Sequence, residues 1–448
     1  MIQKLKGFQD KIGIENDLSN RIINECKTLF EIFDYKYLET PILESTELFN
    51  KSIGDSTDII QHEMFSFIDI NGKNVSLRSE LTTPVIRYYN NKKIKSIEKY
   101  YSIGPVFRRE NPQLGRFRQF NQINCEILGL KEEDSLFYKI ELLCLLELIF
   151  NKLNLLSNII LEINYIGCQE CRNRYKLSLE NWIKKENIKL CNNCNNRLDK
   201  NPLRILDCKN EYCIEELITK SVPIIRNFLC NKCEKDFNDI QELLNYNEIE
   251  YILNYKLFRG LDYYNGLVFE VKDRMNNSNT LSAGGEYNNL INQLGGNENV
   301  SGIGFGIGLE RVYNLFKLNS KDTYNKNLIY IVTLNDEAKK YGFKISLLLK
   351  QFNIKSKCNI EDKSLKAQLR EANKLNYNYC LIIGKDEIYK GCVIFKDMIN
   401  SKEKLINVKP VLTSVIVNNI LANINSVENL GEPFSTILHK NLYNMYQE

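Results

Sequence analysis

A chain of 448 residues is too long for one ordinary hydrophobic core, so the sequence predicts two or three domains. The composition, 43% hydrophobic and 26% charged, is that of a globular protein, and no apolar run reaches the ~18–20 residues that a membrane-spanning helix needs. The first six residues form no apolar signal core, so we expect a cytoplasmic protein that contacts no membrane. In a long cytoplasmic chain, fourteen cysteines suggest metal ligands or core residues instead of disulfides.

The formal net charge of +4 is unevenly distributed along the chain. Residues 321–410 contain 18 Lys and Arg against 10 Asp and Glu, whereas residues 411–448 contain one Lys against three Glu. A basic segment behind a nearly neutral body suggests a polyanionic partner that binds toward the C-terminus. The alternative is a solvated lysine-rich surface, and charge alone does not separate the two.

The N-terminal body begins with a predicted amphipathic helix at residues 15–33. One face of that helix repeats six apolar side chains: Leu18, Ile22, Cys26, Leu29, Phe30 and Phe33. Residues 37–44 then predict a strand that carries Pro41, and proline belongs at a sheet edge or an interface because it cannot donate a ladder hydrogen bond. The next predicted elements are strands at 97–107 and 117–128, a largely buried helix at 135–153, strands at 257–271 and 300–306, and a helix at 307–317.

The pattern changes to short strands alternating with helices after a predicted linker near residues 319–327. The predicted elements there are strands at Leu328–Val332, Tyr379–Ile383 and Cys392–Phe395, and helices near 335–351 and 363–376. The sequence therefore predicts an α+β body at 1–320 with antiparallel strands and a cysteine-rich insertion at 165–250. A compact α/β domain follows at 327–410, and residues 411–448 form a C-terminal helix and tail.

The predicted strand at 117–128 has two chemically different faces. Ile123, Cys125 and Ile127 share one face, and Gln122, Asn124 and Glu126 share the other. An apolar back and a polar amide–carboxylate front suit a sheet that forms the floor of a polar cleft. An ordinary sheet with one solvated face is the alternative.

Two further stretches suit anionic ligands. Arg108, Arg109 and Glu110 end one predicted strand, and the loop returns through Arg116 and Arg118, so guanidinium groups flank a hairpin as phosphate capture requires. The alternative is a surface cluster of ion pairs around Glu110. A glycine-rich strand then enters a helix at residues 302–311, where glycines let a flat ligand approach the backbone and the helix N-terminus favours anions.

These stretches together resemble the class II aminoacyl-tRNA synthetases. The Pro41 strand after a long helix, the hairpin at 107–110 and the junction at 306–311 are similar to the three signature motifs of that class. Residues 257–266 (Leu-Phe-Arg-Gly-Leu-Asp-Tyr-Tyr-Asn-Gly) and 285–290 (Gly-Glu-Tyr-Asn-Asn-Leu) resemble the histidyl-tRNA synthetase family specifically. Residues 77–84 and 6–10 fit the same family, so the resemblance covers nearly the whole chain in family order.

The resemblance implies an enzyme that activates histidine with ATP and Mg²⁺ and then charges tRNA(His). It implies that Arg108 and Arg259 hold the α-phosphate as catalytic cations, and that Arg311 binds the γ-phosphate. The implied ATP-binding residues are Arg108, Glu110, Arg116, Arg259 and Arg311. The implied histidine-binding residues are Glu80, Thr82 and Gln122 for the ammonium group, Glu126 and Tyr264 for the imidazole edges, and Tyr263 for the pocket wall.

The expected chemistry needs no general base, because the histidine carboxylate is already ionised at pH 7. That suits a chain whose two histidines, His62 and His439, lie outside every motif. Strand alternation predicts that Arg259 and Tyr263 face one way and Tyr264 the other, unless the backbone bulges at Gly260. The family also implies a homodimer with the first helix and the Pro41 strand at its interface.

The chain departs from the family pattern at three places. Phe8 stands where the family usually has Thr, and Ser79-Glu80-Leu81-Thr82 stands where it has Pro-Glu-Gly-Thr. Glu286 replaces an arginine that the resemblance puts near the substrate, so no role is carried over to that position.

The insertion contains two Cys-x2-Cys pairs at a spacing that suits tetrahedral zinc. We expect one structural site at Cys168, Cys171, Cys191 and Cys194. Four other cysteines offer competing ligands: Cys208, Cys213, Cys230 and Cys233. Reduced core cysteines without metal are the alternative.

Two other functions fit parts of the sequence. A catalytically silent paralogue that regulates ATP phosphoribosyltransferase shares the body, but characteristically lacks the C-terminal domain and degrades the arginine–tyrosine block at 259–264. A non-enzymatic module that binds tRNA or an amino acid would keep the basic domain without needing Arg108, Arg259 and Arg311 together.

Overall fold

The protein is described from a computed structural model. The structure describes residues 2–407 apart from 55–56, 58, 113–114, 133–134, 209, 259–260, 262, 277–278, 298–299, 320–328 and 353, and not the side chains of 199–200. The chain divides into two compact units, Met1–Ser320 and Lys321–Glu448.

The first unit is built on a mainly antiparallel sheet. Its strands are β1 (Lys36–Tyr37), β2 (Leu43–Ser45), β3 (Ser66–Ile68), β4 (Asn74–Leu77), β5 (Glu98–Phe107), β6 (Gln119–Leu130), β7 (Ile159–Tyr165), β8 (Ile252–Leu253), β9 (Asn265–Asp273), β10 (Thr280–Tyr287) and β11 (Ser301–Gly308). Eight of them form one sheet in the order β1-β5-β6-β11-β10-β9-β7-β8. Only the short outer strands β1 and β8 pair in parallel with their neighbours in this described sheet. The predicted α+β fold is confirmed.

Ten helices belong to the described part of the first unit. They are α1 (Ile14–Ile32), α2 (Thr46–Ile53), α3 (Thr82–Asn91), α4 (Ser135–Lys152), α5 (Gln169–Lys185), α6 (Asn192–Lys200), α7 (Glu211–Thr219), α8 (Asn231–Tyr246), α9 (Leu290–Gln293) and α10 (Leu309–Asn319). Short 3₁₀ turns and one π turn connect some of them. Helices α5 to α8 make up the insertion between β7 and β8. In the part of the chain that the structure describes, no helix is both long and apolar enough to cross a membrane.

The apolar face of the sheet is covered by helices. Ile123, Cys125 and Ile127 on β6 are fully buried on this face. The Phe30 ring of α1 lies 4.9 Å from the Tyr101 ring of β5 and packs beside Phe305 of β11. The apolar face predicted for α1 is buried from Leu18 to Phe30, whereas Phe33 follows the end of the helix and is half-buried. Hydrophobic burial on this side leaves the other face of the sheet for polar chemistry.

The predicted strand at 37–44 was wrong in extent. Its first residues join β1 at the edge of the main sheet, and its last residues begin β2, which lies in a separate three-stranded sheet of order β2-β4-β3. Pro41 lies between the two sheets and in neither strand. The break has a physical cause, because the carbonyl groups of Thr40 and Pro41 are turned toward the Arg78 guanidinium, at 2.6 and 3.5 Å.

Arg78 connects the two sheets from a buried position. Its side chain also donates to the carbonyl oxygen of Pro105 on β5, at 2.8 Å, and only 4% of the residue is exposed. Replacing Arg78 by Met removes these donors and leaves buried carbonyl groups unpaired, which costs about 1–3 kcal/mol for each group. We expect the free energy of unfolding to fall by about 3 kcal/mol in urea titrations. Lys95→Met, at an exposed cation of the same unit, should change it by less than about 0.5 kcal/mol; equal losses in both variants would refute the bridging role.

The predicted strand at 257–271 begins later than expected. β9 starts at Asn265, so Tyr263 and Tyr264 lie in the turn that precedes the strand. The predicted alternation of these tyrosines along a strand is therefore wrong. The other strands and helices predicted for the body appear as β5, β6, α4, β11 and α10, with boundaries that differ by a few residues.

The second unit is an α/β domain. Its elements are β12 (Ile329–Thr333), α11 (Asp336–Gln351), β13 (Ser356–Cys358), α12 (Leu365–Lys374), β14 (Tyr379–Ile383), α13 (Lys385–Lys390), β15 (Cys392–Asp397) and β16 (Glu403–Asn407). The five strands are ordered β13-β12-β14-β15-β16. Sequence patterns predicted β12, β14, β15 and the two long helices but not the short elements β13, α13 and β16. The predicted tail at 411–448 lies outside the described residues.

Candidate active site

The polar face of β6 is the floor of the candidate site. Asn124 and Glu126 are 1% exposed, although both side chains are polar. Glu126 accepts hydrogen bonds from Thr82 Oγ1 at 2.5 Å, from Asn124 Nδ2 at 2.6 Å and from the Tyr287 hydroxyl. Three donors on different elements thus hold one carboxylate in a fixed position, as recognition of a small ligand requires.

Burial controls the charge of this carboxylate. Loss of solvent raises the pKa of Glu126 to about 7, against the opposing effect of the hydrogen bonds from Thr82, Tyr287 and Asn124. A carboxylate whose pKa is near neutrality changes its protonation in the range where an imidazole also titrates.

The raised pKa predicts a pH-dependent stability. The unfolded chain releases the Glu126 proton near the ordinary glutamate pKa of 4.5, and the folded chain near a pKa of about 7. Between these values the folded state holds more protons, so the contribution of Glu126 to the free energy of unfolding falls as pH rises and is lost above about 7. We expect the stability of the ligand-free wild type relative to Glu126→Gln to decrease from pH 5 to pH 8 in paired urea titrations. A constant difference would contradict the shift.

Glycines on β11 make room for this polar floor. A side chain at Gly304 would overlap the Glu126 carboxylate, and a Cβ at Gly306 would lie 2.6 Å from Gln122 Nε2. The register places Gly304 opposite Glu126. At these two positions the glycines therefore accommodate side chains of β6, a different reason from the ligand approach expected from sequence.

The N-terminus of α3 brings Glu80 and Thr82 to the same floor. The two carboxylate oxygens of Glu80 accept from the backbone N–H groups of Thr82 and Thr83, at 2.7 and 2.8 Å. Glu80 thus caps the helix and fixes the Thr82 hydroxyl against Glu126. Each Glu80 oxygen keeps a second lone pair for a further donor.

Aromatic side chains form the wall beside Glu126. The Tyr263 and Tyr264 rings are 4.5 Å apart, and the Tyr263 ring meets the Tyr287 ring edge-on at 5.9 Å. All three residues are buried. Burial, and then the charge of Glu126, raise the pKa of Tyr287 well above its usual value, so its hydroxyl stays a donor.

Gln122 has an unused acceptor. Its Oε1 is buried and has no hydrogen-bond partner among the residues that the structure describes. A buried acceptor without a donor costs free energy, so this atom is available to an N–H group of a ligand.

Three arginines come together next to this pocket. Arg108 and Arg116 approach the Glu110 carboxylate only to 3.9 and 4.0 Å, at the outer limit of ion pairing. Arg108 Nε donates to the Ser79 carbonyl, and Arg311 donates to the Thr280 carbonyl at 2.7 Å. Burial, and then the positive charges of Arg116 and Arg108, lower the pKa of Arg311. Three neighbouring cations, two of them held by backbone carbonyl groups, are suited to binding a polyanion.

The other arginines of the hairpin serve local structure. Arg109 packs over the Phe65 ring at 6.0 Å, and Arg118 Nε donates to the Glu110 carbonyl at 3.4 Å. Arg259, predicted as the second catalytic cation, lies outside the described residues.

Glu286 does not lie in the pocket. It follows a bulge on β10, and its carboxylate pairs with Lys139 Nζ of α4 at 3.0 Å while the neighbouring Tyr287 points to Glu126. The resemblance placed residue 286 near the substrate, and that expectation is wrong for Glu286. Strand alternation turns its side chain to the side of the sheet that the helices cover.

The predicted zinc ligand set is wrong in its pairing. Among the described residues, the eight insertion cysteines form two clusters, whose Sγ atoms lie within 4.8 Å of one another. The inner cluster, named for its place at the base of the insertion just after β7, is Cys168, Cys171, Cys230 and Cys233. The outer cluster is Cys191, Cys194, Cys208 and Cys213. Sequence spacing favoured the two nearest Cys-x2-Cys pairs, but in the structure the first pair joins the last, and the outer cluster lies between them along the chain.

Sequence reasoning missed two residues of the site. Tyr287 donates to Glu126, and Glu270 on β9 lies close enough to Arg311 to affect its pKa. Asn124, which also donates to Glu126, was placed on the polar face of β6 by sequence alternation but was given no role there. Alternation along β9 and β10 could have placed Glu270 and Tyr287 on the same face once the register was known.

An antiparallel sheet covered by helices on one side, with arginines beside a polar pocket on the other, defines the class II aminoacyl-tRNA synthetases. A model of the histidyl-tRNA synthetase family matches residues 7–312, and a model of the anticodon-binding domain matches residues 328–417. The chain belongs to the histidyl-tRNA synthetase family.

Individual relatives agree with this assignment. A histidine–tRNA ligase of Thermodesulfovibrio yellowstonii is 38% identical over 401 residues, which cover 88% of this chain and 93% of that protein. The crystal structure of apo histidyl-tRNA synthetase from S. aureus is 28% identical, covers 91% of this chain and 97% of that one, and has a TM-score of 0.72. A structure from Bacillus halodurans titled as an ATP phosphoribosyltransferase regulatory subunit/histidyl-tRNA synthetase has a TM-score of 0.62 at 17% identity over 86% of this chain and 98% of that one, a likeness of fold alone.

Proposed function

We propose that this chain is a histidine–tRNA ligase, which joins histidine to ATP as histidyl-adenylate and transfers the histidyl group to tRNA(His). The observation that carries the proposal is the buried Glu126 carboxylate beside three tyrosine rings. Such a carboxylate accepts an imidazole N–H, and the rings enclose a flat heterocycle.

The rest of the histidine would bind along the same floor. Glu80 and Thr82 stand beside Glu126 at the start of α3, and the unpaired Oε1 of Gln122 would accept from the ammonium group. Tyr264 would read the second ring edge, and Tyr263 would close the wall. Paired polar contacts of this kind discriminate strongly against an apolar substrate of similar shape.

ATP would bind at the arginine cluster. Arg108 would hold the α-phosphate, and Arg116 and Arg311 would hold the outer phosphates. Mg²⁺ prefers carboxylate oxygens and phosphates, and the neighbouring carboxylates of Glu110 and Glu270 fit that preference. When bound, the ion would neutralise charge on the phosphates.

The reaction would need positioning and charge stabilisation. The histidine carboxylate attacks the α-phosphorus, the bond to the bridging oxygen breaks, and pyrophosphate leaves with the electron pair. Arg108 and, from the sequence resemblance, Arg259 would stabilise the charge that develops at the α-phosphate. Glu126 would take no part in the bond changes and would act only by orienting the imidazole.

The second unit would recognise the tRNA. Its match to the anticodon-binding domain and the positive charge of residues 321–410 support this assignment. A cytoplasmic location and a homodimer with α1 at its interface are part of the same proposal and rest on the family.

The main alternative is the regulatory subunit of ATP phosphoribosyltransferase. A second unit that matches the anticodon-binding domain argues against it, as does the presence of the arginines at 108, 116 and 311. A non-catalytic tRNA-binding module would not need the Glu126 pocket and the arginines together.

Charging of purified tRNA(His) tests the proposal. The full chain, with histidine, ATP and Mg²⁺, should form acid-precipitable histidyl-tRNA and should not charge a tRNA with another anticodon. Folded protein that binds histidine without charging tRNA would favour the regulatory function instead.

A further inference from the structure

We propose that the insertion holds two structural zinc ions, one in the inner and one in the outer cysteine cluster. The two sites nest along the chain, since the outer cluster spans residues 191–213 and the inner cluster joins the pairs at 168–171 and 230–233. Each site would fix the ends of helices in the insertion.

The spacing of the sulfur atoms fits a single ion in each cluster. All fourteen cysteines are free thiols. The Sγ atoms of Cys168 and Cys171 are 3.5 Å apart, and those of Cys191 and Cys208 are 3.9 Å apart. Four sulfurs placed tetrahedrally at about 2.3 Å from zinc would be separated by about 3.8 Å. A disulfide would need about 2.05 Å.

Three of the proposed ligands lie at the N-terminal ends of helices. Cys168, Cys191 and Cys230 each stand at the N-cap of a helix, namely α5, α6 and α8. A helix N-terminus stabilises negative charge. The geometry is therefore that of a metal site with its supporting donors in place.

Backbone N–H groups also point at individual sulfurs in both clusters. The Cys230 N–H donates to Cys171 Sγ at 3.1 Å, and the Cys191 N–H donates to Cys213 Sγ at 3.0 Å. The Asn210 N–H donates to Cys208 Sγ at 3.4 Å. Such donors orient and stabilise ligating sulfurs.

Zinc is the metal that this ligand set fits best. Four thiolates in a tetrahedron select zinc or iron–sulfur chemistry. A cluster of two or four irons divides its four cysteine ligands among different irons. Sulfurs on different irons then lie farther apart than 4.8 Å, the limit within each of these clusters. Closed four-thiolate sites without an open position are structural and not catalytic.

The two sites should have different consequences for the enzyme. The inner cluster anchors α5, whose Tyr175 stacks on Phe258 at 5.7 Å in the apolar cluster that also contains Tyr263 and Tyr264. The outer cluster belongs to a separate apolar cluster inside the insertion, with Cys194 and Cys213 fully buried. Loss of the inner ion should therefore loosen the histidine pocket, whereas loss of the outer ion should mainly loosen the insertion.

Paired substitutions test the assignment. Cys168→Ser with Cys230→Ser removes two inner ligands, and Cys191→Ser with Cys208→Ser removes two outer ligands. These are the less buried members of their clusters. The matched control is Cys144→Ser with Cys358→Ser, which changes two half-buried cysteines outside both clusters.

The readout is the metal content of protein purified without chelator, measured by mass spectrometry. We expect two zinc ions per chain in the wild type and in the control, and one in each cluster variant. The histidine KM in pyrophosphate exchange should rise about tenfold in the inner variant and by less than about twofold in the outer one, in line with a pocket displaced but not removed. This kinetic part rests on the proposed function, whereas the metal content does not.

Four results would overturn the proposal. Wild-type protein with eight reduced insertion thiols and no metal would make the clusters plain core cysteines, and bound iron would refute zinc. A single ion in the wild type that both variants lose would show one mixed site. If a variant fails to fold, titration of the metal-free wild type with Co²⁺ decides the question. The absorption of tetrahedral Co²⁺–thiolate sites should stop rising at two Co²⁺ per chain. A plateau at one Co²⁺ per chain, or no such absorption, would refute two sites.

Discussion

Glu126→Gln should reduce kcat/KM for histidine by about 10²-fold. A hydrogen bond to a charged group contributes about 1.5–3 kcal/mol, and the variant loses the charge. The substituted amide can also turn its own N–H toward the imidazole N–H, which removes the acceptor. The loss should appear mainly in the histidine KM, since the imidazole is remote from the reacting carboxylate. Pyrophosphate exchange at varied histidine concentration, at pH 8 where the wild-type carboxylate is ionised, measures it.

The control for this variant is Glu162→Gln. Glu162 is a buried carboxylate of β7, paired with Lys272 at 2.8 Å, and the substitution is the same isosteric change elsewhere in the same sheet. It should leave kcat/KM within about twofold, because Glu162 has no place in the pocket. Equal losses in both variants, or a normal KM in Glu126→Gln, would remove Glu126 from histidine recognition.

Deletion of residues 327–448 should separate the two steps of the reaction. Adenylate formation should fall by less than about tenfold, because the pocket and the arginine cluster belong to the first unit. Charging of tRNA(His) should fall by more than about 10²-fold at physiological salt, because the lost segment carries the positive excess that we propose for phosphate contact.

A shorter deletion provides the control for this prediction. Removing residues 418–448 leaves the anticodon-binding match at 328–417 intact and takes away a segment that is not basic. That variant should keep the steep salt dependence of tRNA binding, which the longer deletion should lose. A chain of residues 1–326 that charges tRNA as well as the full protein would contradict the role of the second unit.

The alternation of side chains along a single strand was enough to predict one part of the site. Gln122, Asn124 and Glu126 share a face because side chains alternate along β6, and that rule needs no knowledge of neighbouring strands. The partners of Glu126 were not predictable in the same way. Tyr287 reaches it across the intervening strand β11, and only the pairing of β10 with β11 and of β11 with β6 brings them together.

The errors arose where tertiary contacts override local patterns. Leu257–Tyr264 is apolar and aromatic enough to resemble a strand, yet β9 begins at Asn265. The two Cys-x2-Cys pairs that are nearest in sequence were predicted to share one metal. The structure instead brings the pair at 168–171 together with the pair at 230–233. Nesting of this kind cannot be deduced from spacing, since several pairings satisfy the same ligand rules.

The most direct test of the account is histidine-dependent exchange of pyrophosphate into ATP by the purified full chain. Exchange should occur with histidine and with none of the other nineteen standard amino acids, and it should be lost without Mg²⁺. Folded protein that gives no exchange above the blank with histidine, or that exchanges equally well with another amino acid, would contradict the assignment of this pocket to histidine activation.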